Sequence, residues 1–252
     1  MPHRGSADID LALSVAITKG ETAQYYRSLE EAILPYFELL EAGFRRRKRD
    51  GVAGVPLIVD FLGPEVEATL IADGTLALEE KTAAENVGLT LRPFPLDAAA
   101  LVDADAESTT VEGVELIYDP GVRADIEIRH AGPVGFLASK ADALASRSDA
   151  KDGYDVTWWC MYADETPDAV ASPVIDRAAS RNPYFQDTVA KLRSAFKEPD
   201  HPGPSGYAKE MNHDSAPGDD EFDRNRNEAF LAVSRVLDRL LERLWEAAEG
   251  ET

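Results

Sequence analysis

Hydrophobic and polar positions alternate in the segment DIDLAL, close to the start of the chain. Ile9, Leu11 and Leu13 share one side of this two-residue pattern, and Asp8 and Asp10 share the other. Successive side chains of a strand point to opposite faces. The pattern therefore predicts a β-strand with one apolar face and one face that bears two carboxylates.

Further strands are predicted where apolar, β-branched segments end in turn residues. VPLIVDFLGP, residues 55–64, predicts a buried strand that Gly-Pro closes. EATLIADGTLALEE predicts a hairpin that turns at Asp73-Gly74. VEGVELIYDPGVRADIEIRH predicts two strands joined around Asp119-Pro120-Gly121.

The segment SLEEAILPYFELLEAGF, residues 28–44, has apolar residues at helical spacing. It predicts a helix that Pro35 kinks and Gly43 ends.

The pattern becomes helical after Pro133. Two helices are predicted over PVGFLASKADALASR and KDGYDVTWWCMYA, and two shorter ones between residues 168 and 196. Residues 197–220 are rich in Pro, Gly and charge, which predicts a mobile loop. The final helix, NEAFLAVSRVLDRLLERLWEAA, has an apolar stripe for docking on the rest of the protein or for an oligomer contact. The chain is thus predicted to have an α/β (α+β) part over residues 1–132 and a helical part over 133–252.

The chain is strongly acidic. Its 47 Asp and Glu residues and 26 Lys and Arg residues give a formal net charge of −21. This balance argues against broad nonspecific nucleic-acid binding, which needs clustered cations. RRRKR, residues 45–49, is the exception. We interpret it either as a solvated strand or hairpin arm, or as a local patch for phosphate or RNA.

The content of cysteine, histidine and apolar residues limits the possible classes of site. Cys160 is the only cysteine, so neither an internal disulfide nor a thiolate metal cluster can form. The four histidines lack ligand spacing, and His201 and His213 fall in the predicted loop. No apolar run approaches about 18 residues, and no basic-then-apolar leader opens the chain. These features predict a cytoplasmic protein that does not enter a membrane.

Asp60, late in the second apolar strand, adds a third carboxylate to Asp8 and Asp10. If the two strands are neighbours in a sheet, the three carboxylates converge. Side chains two residues apart on a strand lie roughly 6.5–7 Å apart. Their oxygens can then hold two Mg²⁺ ions about 3.5–4 Å from each other, as in displacement reactions at phosphorus. A solvated strand edge is the alternative interpretation.

Two segments resemble a known enzyme family. RGSADIDLAL resembles the Arg-x-Ser/Thr-x-Asp-(Ile/Leu)-Asp-Leu motif of nucleotidyltransferases of the DNA polymerase β superfamily. FLASKADALASRSDAKDGYDVTWW is similar to the Phe-Leu-x-x-Lys-x-x-Ala-Leu-x-x-Arg-x-x-x-Lys-Asp-x-Tyr-Asp-Leu stretch of its bacterial abortive-infection toxin branch (AbiEii-type). The two matches bracket residues 4–159.

The resemblance implies a mixed sheet flanked by helices, which uses Mg²⁺ to transfer an NMP group from an NTP to a hydroxyl. The acceptor is RNA or tRNA, a protein or a small molecule. The setting that it implies is a toxin-antitoxin or phage-defence system with a cognate antitoxin. A non-catalytic nucleotide-binding or regulatory descendant of the same fold is the alternative.

The family motif also implies roles for the acids. By position, Asp8 and Asp10 match the paired metal ligands, and Asp60 matches the third carboxylate, which binds the ion nearest the acceptor oxygen. Asp125, which shares a strand face with Glu127, is a rival for the third role. The order of elements in the family favours Asp60, because it follows the first helix and the basic strand.

Five positions are implied as substrate contacts. Arg4 opens the first motif, and Ser6 matches its small hydroxyl position. Lys140, Arg147 and Lys151 lie near the nucleotide in the family, where they offset triphosphate charge. The alternative is that they are ordinary surface cations. The seven-residue spacing of Lys140 and Arg147 predicts that the two side chains lie on the same face of one helix. The remaining motif residues are interpreted as structural, capping and buttressing the next helix: Asp152, Tyr154 and Asp155.

Family members carry a Gly-Gly or Gly-Ser pair about ten residues before the paired aspartates, which holds the terminal phosphates. Gly5-Ser6 is too close to Asp8 to take this place. We therefore expect either a natural start further upstream or the loss of this phosphate clamp together with one strand, with lower activity of the 252-residue chain.

Overall fold

The structure is a computed structural model and belongs to the α+β class, which confirms the predicted fold class. The chain forms two compact units, Met1–Ala100 and Leu101–Thr252. None of the helices in the described part of the chain is both long and apolar enough to cross a membrane. The structure describes residues 8–12, 28, 31–32, 35–41, 45–48, 58–63, 94–95, 97–115, 121–147, 149–212 and 214–250.

The first unit contains a mixed sheet with the strand order β1-β4-β3-β2, in which β5 also pairs with β4. β1 and β4 are parallel, whereas β3 is antiparallel to both β4 and β2. The predicted strands at DIDLAL and VPLIVDFLGP are confirmed as β1 and β4. The bounds are Asp8–Ala12 for β1, Phe37–Glu41 for β2, Arg45–Lys48 for β3, Ile58–Gly63 for β4 and Phe94–Pro95 for β5.

The helix predicted over residues 28–44 is wrong in its second half. Three described residues before Pro35 are helical, but the segment after it forms strand β2. Proline cannot continue the helical hydrogen bonds and disfavours a helical residue before it. The segment instead pairs with β3, where Glu38 lies opposite Arg47 and their side chains form an ion pair.

Residues 45–48 of RRRKR form β3 and one arm of the β2–β3 hairpin, which confirms the strand interpretation for these residues. The hairpin predicted at EATLIADGTLALEE lies outside the described residues.

The second unit contains a hairpin of β6, Ala106–Glu115, and β7, Arg123–Ala131. The two strands predicted around Asp119-Pro120-Gly121 are thus confirmed. The register shifts between Val111 and Val114, where Gly113 has a φ of +64° that other residues rarely adopt. The Gly113 N–H donates to Asp125 Oδ1 at 2.9 Å, so this carboxylate stabilises the bulge.

Helices follow the hairpin in the second unit, which confirms the two predicted directly after Pro133 and the two between residues 168 and 196. The helix Ala99–Ala104 was not predicted. The apolar stripe of the last helix is buried at Val233, Leu237 and Leu240, which confirms its docking interpretation. The start predicted at Asn182-Pro183 is confirmed, since the Asn182 side chain accepts a hydrogen bond from the Tyr184 N–H. The bounds are α1 Ala99–Ala104, α2 Pro133–Ser146, α3 Ala150–Tyr162, α4 Pro167–Ile175, a 3₁₀ turn Ala178–Arg181, α5 Pro183–Ala195, α6 Pro202–Met211 and α7 Asp220–Gly250.

The loop predicted over residues 197–220 is wrong in its middle, which forms α6. The glycines that made the segment resemble a loop allow α6 to approach α3 closely. A Cβ at Gly206 would lie 2.7 Å from the Ala150 carbonyl oxygen, and one at Gly153 would meet the backbone of Gly203. Glycine here serves helix packing, which composition alone does not reveal.

We expect Gly206→Ala to lower the free energy of unfolding. In an unhindered helix the same change is stabilising by roughly 0.5–1 kcal/mol. At this position the added Cβ meets a backbone carbonyl that cannot rotate away, so the two helices must separate at a cost of about 1–3 kcal/mol. Urea denaturation followed by circular dichroism measures the difference. Lys209→Ala, at an exposed position of α6, is the matched control and should stay within about 0.5 kcal/mol of the parent. A Gly206→Ala protein more stable than the parent would contradict the close packing.

Candidate functional site

The three aspartates predicted as metal ligands occupy one face of the mixed sheet. Asp10 and Asp60 are direct register partners on the parallel strands β1 and β4. Neighbouring strands lie about 4.7–4.9 Å apart. Position 8 lies two residues before Asp10 and therefore on the same face. The two strands are thus neighbours in the sheet, as the predicted convergence of the three acidic positions requires.

The opposite face of the same strands is apolar. Val59, beside Asp60 in the chain, is only 6% exposed. Asp60 is itself only 7% exposed, although it lies on the charged face. A buried carboxylate beside a second acidic position is costly unless positive charge is close.

The donor set fits Mg²⁺. This ion prefers oxygen ligands and binds through a few carboxylates together with substrate phosphates. Asp8, Asp10 and Asp60 supply such ligands at positions that share a face, and the burial of Asp60 favours a nearby cation. The donor chemistry of these three positions is therefore suited to divalent ions.

The rival third carboxylate, Asp125, lies in a different sheet. It is exposed on β7, whose partner among the described strands is β6, and it accepts the Gly113 N–H. Asp60 alone of the two has a register partner on β1. Arg4 and Ser6, the predicted contacts of the first motif, lie outside the described residues.

Lys140 and Arg147 both contact Asp152, a buried acid of α3. The predicted shared helix face is wrong for Arg147, because α2 ends at Ser146 and Arg147 is its extended C-cap. Lys140 Nζ lies 3.1 Å from Asp152 Oδ1 and 2.6 Å from Asp155 Oδ2. Arg147 Nε lies 2.8 Å from Asp152 Oδ2. The Asp152 side chain is 1% exposed and that of Lys140 is 17% exposed. These contacts support the buttressing role of Asp152 and Asp155, and a nucleotide contact of the two cations stays a prediction.

The cap of α3 is Asp149, not Asp152. The Asp149 carboxylate accepts a hydrogen bond from the Lys151 N–H at 3.0 Å, and Asp152 lies within the first turn. Lys151 is half-buried on that turn, and its predicted substrate contact also stays a prediction.

Sequence reasoning did not single out Asp105, a further buried acid. Its Oδ2 accepts hydrogen bonds from the N–H groups of Val134 at 2.7 Å and Gly135 at 3.1 Å. It therefore caps the start of α2 from a distant point in the chain, and Arg177 lies 3.5 Å from its other oxygen. No local pattern could reveal a cap about 30 residues away from the helix that it serves.

A second group of acids has the spacing of metal ligands. One ligand atom each of Glu198, Asp200 and His201 lies within 4.8 Å of the others, just before α6. Sequence reasoning dismissed His201, and the nearby acids in EPDH were the available signal. Both carboxylates are exposed, and such groups are common without an ion, so we assign no function to them.

The ion pairs decide the charge of Asp152 and Lys140. Burial opposes ionisation of Asp152, but hydrogen bonds from Arg147 and the charge of Lys140 outweigh burial and lower the pKa of Asp152. Burial also opposes the charge of Lys140, but Asp155 and Asp152 outweigh it and raise the pKa of Lys140. Because the pKa of Asp152 is lowered on folding, its contribution to stability is present above its unfolded pKa of about 3.9. That contribution is lost as pH falls through the folded pKa.

We expect Lys140→Met to destabilise the protein by roughly 3–5 kcal/mol, because it leaves two buried carboxylates without their shared ammonium. The pKa of Asp152 should rise, so the variant should lose stability at a higher pH than the parent does. Chemical denaturation across about pH 3–7 measures the free energy of unfolding of each protein and the pH at which it falls. Lys209→Met, the same change at an exposed position, is the control. Equal effects of the two substitutions would contradict a buried ionic cluster.

Comparisons with known proteins add no assignment to this geometry. No protein-family model matches the chain, and the searches of curated proteins and of solved structures found no match either. The functional interpretation therefore depends on the residues and on where the fold places them.

Proposed function

We propose that this chain is a metal-dependent nucleotidyltransferase, which moves an NMP group from an NTP to a hydroxyl acceptor. The observation that supports it best is the register of β1 and β4, which sets Asp10 opposite Asp60 with Asp8 on the same face. The two sequence motifs described above favour the same chemistry. The motifs belong to the amino-acid sequence and the register to the fold, so the register is an independent argument.

In this proposal, Asp8, Asp10 and Asp60 hold two Mg²⁺ ions. Bound ions of this kind neutralise phosphate charge and make a hydroxyl a better nucleophile. Asp60, which is 7% exposed, would be the ligand on the acceptor side and would take up the proton of the acceptor hydroxyl, whose oxygen bonds to the α-phosphorus as pyrophosphate leaves the NTP. Asp8 and Asp10 lie along one strand and hold the ions on the nucleotide side.

The acceptor in this proposal is RNA such as tRNA, a protein or a small molecule, and the enzyme is cytoplasmic. The net charge of −21 disfavours a large RNA footprint, because an extended phosphate backbone would be repelled. A toxin-antitoxin or phage-defence system with a cognate antitoxin is the setting that we propose.

We expect Asp10→Asn and Asp60→Asn each to lower NMP transfer by at least about a hundredfold, since each removes a charged ligand. The assay incubates the full chain with Mg²⁺ and each labelled NTP, with a tRNA pool or a small hydroxyl acceptor. Asp125→Asn is the matched control, because it makes the same change at an exposed acid of another sheet. It should transfer NMP at the parental rate.

Three results separate the alternatives. Transfer that Asp60→Asn leaves unchanged, or that Asp125→Asn abolishes, would contradict our choice of site. Metal-dependent NTP binding without transfer, measured by calorimetry, would favour the non-catalytic nucleotide-binding descendant. Neither binding nor transfer by the parental chain would exclude both.

A further inference from the structure

The cations of β3 are divided between the two faces of the sheet. Arg45 is the register partner of Asp60, and the two-residue period places Arg47 on the same face. Arg46 is the partner of Val59 and lies on the opposite face, where Val59 is buried. A run that forms one patch in the sequence therefore contributes only alternate positions to the face of the three aspartates.

A single row of charged positions crosses the sheet at Asp60. Asp10 lies on its β1 side and Arg45 on its β3 side, and Glu41 of β2 lies beyond Arg45. Each step is one strand spacing of about 4.7–4.9 Å. The buried Asp60 therefore lies between an acidic position, Asp10, and a cationic one, Arg45. Among the described strands, Arg45 is the cationic register partner of Asp60.

In the neighbouring row of register partners, an arginine of β3 forms an ion pair across the strands. Arg47 and Glu38 are register partners on β3 and β2, and the Arg47 guanidinium donates to the Glu38 carboxylate. A guanidinium has five donors in a fixed plane and can hold a carboxylate through two parallel hydrogen bonds. Arg45 and Asp60 are likewise register partners on antiparallel strands, one row away.

We propose that Arg45 is a positioning residue, which orients the Asp60 carboxylate for metal binding. This inference rests on the proposed function above. A carboxylate that binds a metal ion has one free rotation about its last bond, and a partner on its outer side fixes that rotation. Arg45 lies at the register position next to Asp60 on the side away from Asp10, so it can approach the Asp60 carboxylate from the side opposite the paired aspartates.

Binding of Mn²⁺ to the full chain tests this proposal without a requirement for activity. The free ion is followed by electron paramagnetic resonance in the parent, Arg45→Gln and Arg46→Gln. The last variant is the matched control, because it makes the same change one residue away on the opposite face. We expect Arg45→Gln to weaken Mn²⁺ binding roughly 10- to 100-fold, the usual effect of removing the partner of a metal ligand. Arg46→Gln should bind like the parent.

Arg45→Lys keeps the charge but loses the planar pair of donors, so it should restore only part of the affinity. If NMP transfer is measurable, Arg45→Gln should lower kcat and leave the KM for the NTP near its parental value. Thermal unfolding of the metal-free variants shows whether each is folded. It also measures the change in stability that is independent of metal binding. A cross-strand pair with a purely structural role would change stability but neither Mn²⁺ affinity nor kcat.

Four outcomes are distinguishable. Weaker Mn²⁺ binding confined to Arg45→Gln supports the proposal, whether or not transfer is detected. Parental binding or tighter binding by Arg45→Gln would overturn it, and the proposed function would stand if the parent still transfers NMP. If Arg45→Gln and Arg46→Gln lose Mn²⁺ affinity equally, the proposal is overturned, because the loss is then a general effect of removing charge from β3. A parental chain that neither binds Mn²⁺ nor transfers NMP would overturn the inference together with the proposed function.

Discussion

The parallel pairing of β1 with β4 is the constraint on which the candidate site depends. A slip of one residue in such a pair would turn every side chain of one strand to the other face. Asp60 would then join the apolar positions, and Val59 would lie beside Asp10. The register is held by burial of the apolar face, where Val59 is almost fully enclosed. The hydrophobic face of the sheet thus holds the carboxylates of the other face together against their mutual repulsion.

The two units handle buried acids in different ways. In the helical unit, Asp152 and Asp155 are matched by Lys140 and Arg147, so their charge is compensated within the protein. On the charged face of the sheet, acidic positions outnumber cationic ones. A matched cluster of this kind is a stable part of the fold. The metal site that we propose therefore lies on the sheet face and not at Asp152, whose carboxylate is already held by Lys140 and Arg147.

Much of the fold could be predicted from local patterns, because alternation and the helical period report which face of an element is buried. β1, β4, the β6–β7 hairpin and the start of α5 at Asn182 follow from such patterns. β2 could not be predicted, because FELLE also fits a helical period and its strand form is fixed by pairing with β3. The α6 helix was missed for a related reason: Gly206 favours a loop in isolation and a close helix contact in the fold.

The candidate site was predictable in its residues but not in its arrangement. The sequence marks Asp8, Asp10 and Asp60 as acids on strands, but neighbouring strands and register are properties of the whole sheet. The same limit applies to RRRKR, where only the register shows that Arg45 and Arg46 lie on different faces. Lys140 and Arg147 were recognised as a pair, and the acid between them was identified from the fold.

The order of strands also affects how the protein behaves beside other copies of itself. Among the strands that the structure describes, β1 and β2 end the path, and the cationic β3 is enclosed. Outer strands expose backbone groups that can recruit a second sheet and begin aggregation. Here both outer strands carry acids, at Asp8 and Asp10 on one side and at Glu38 and Glu41 on the other. Contact between these described strands of two copies would bring acidic positions together, which opposes such pairing.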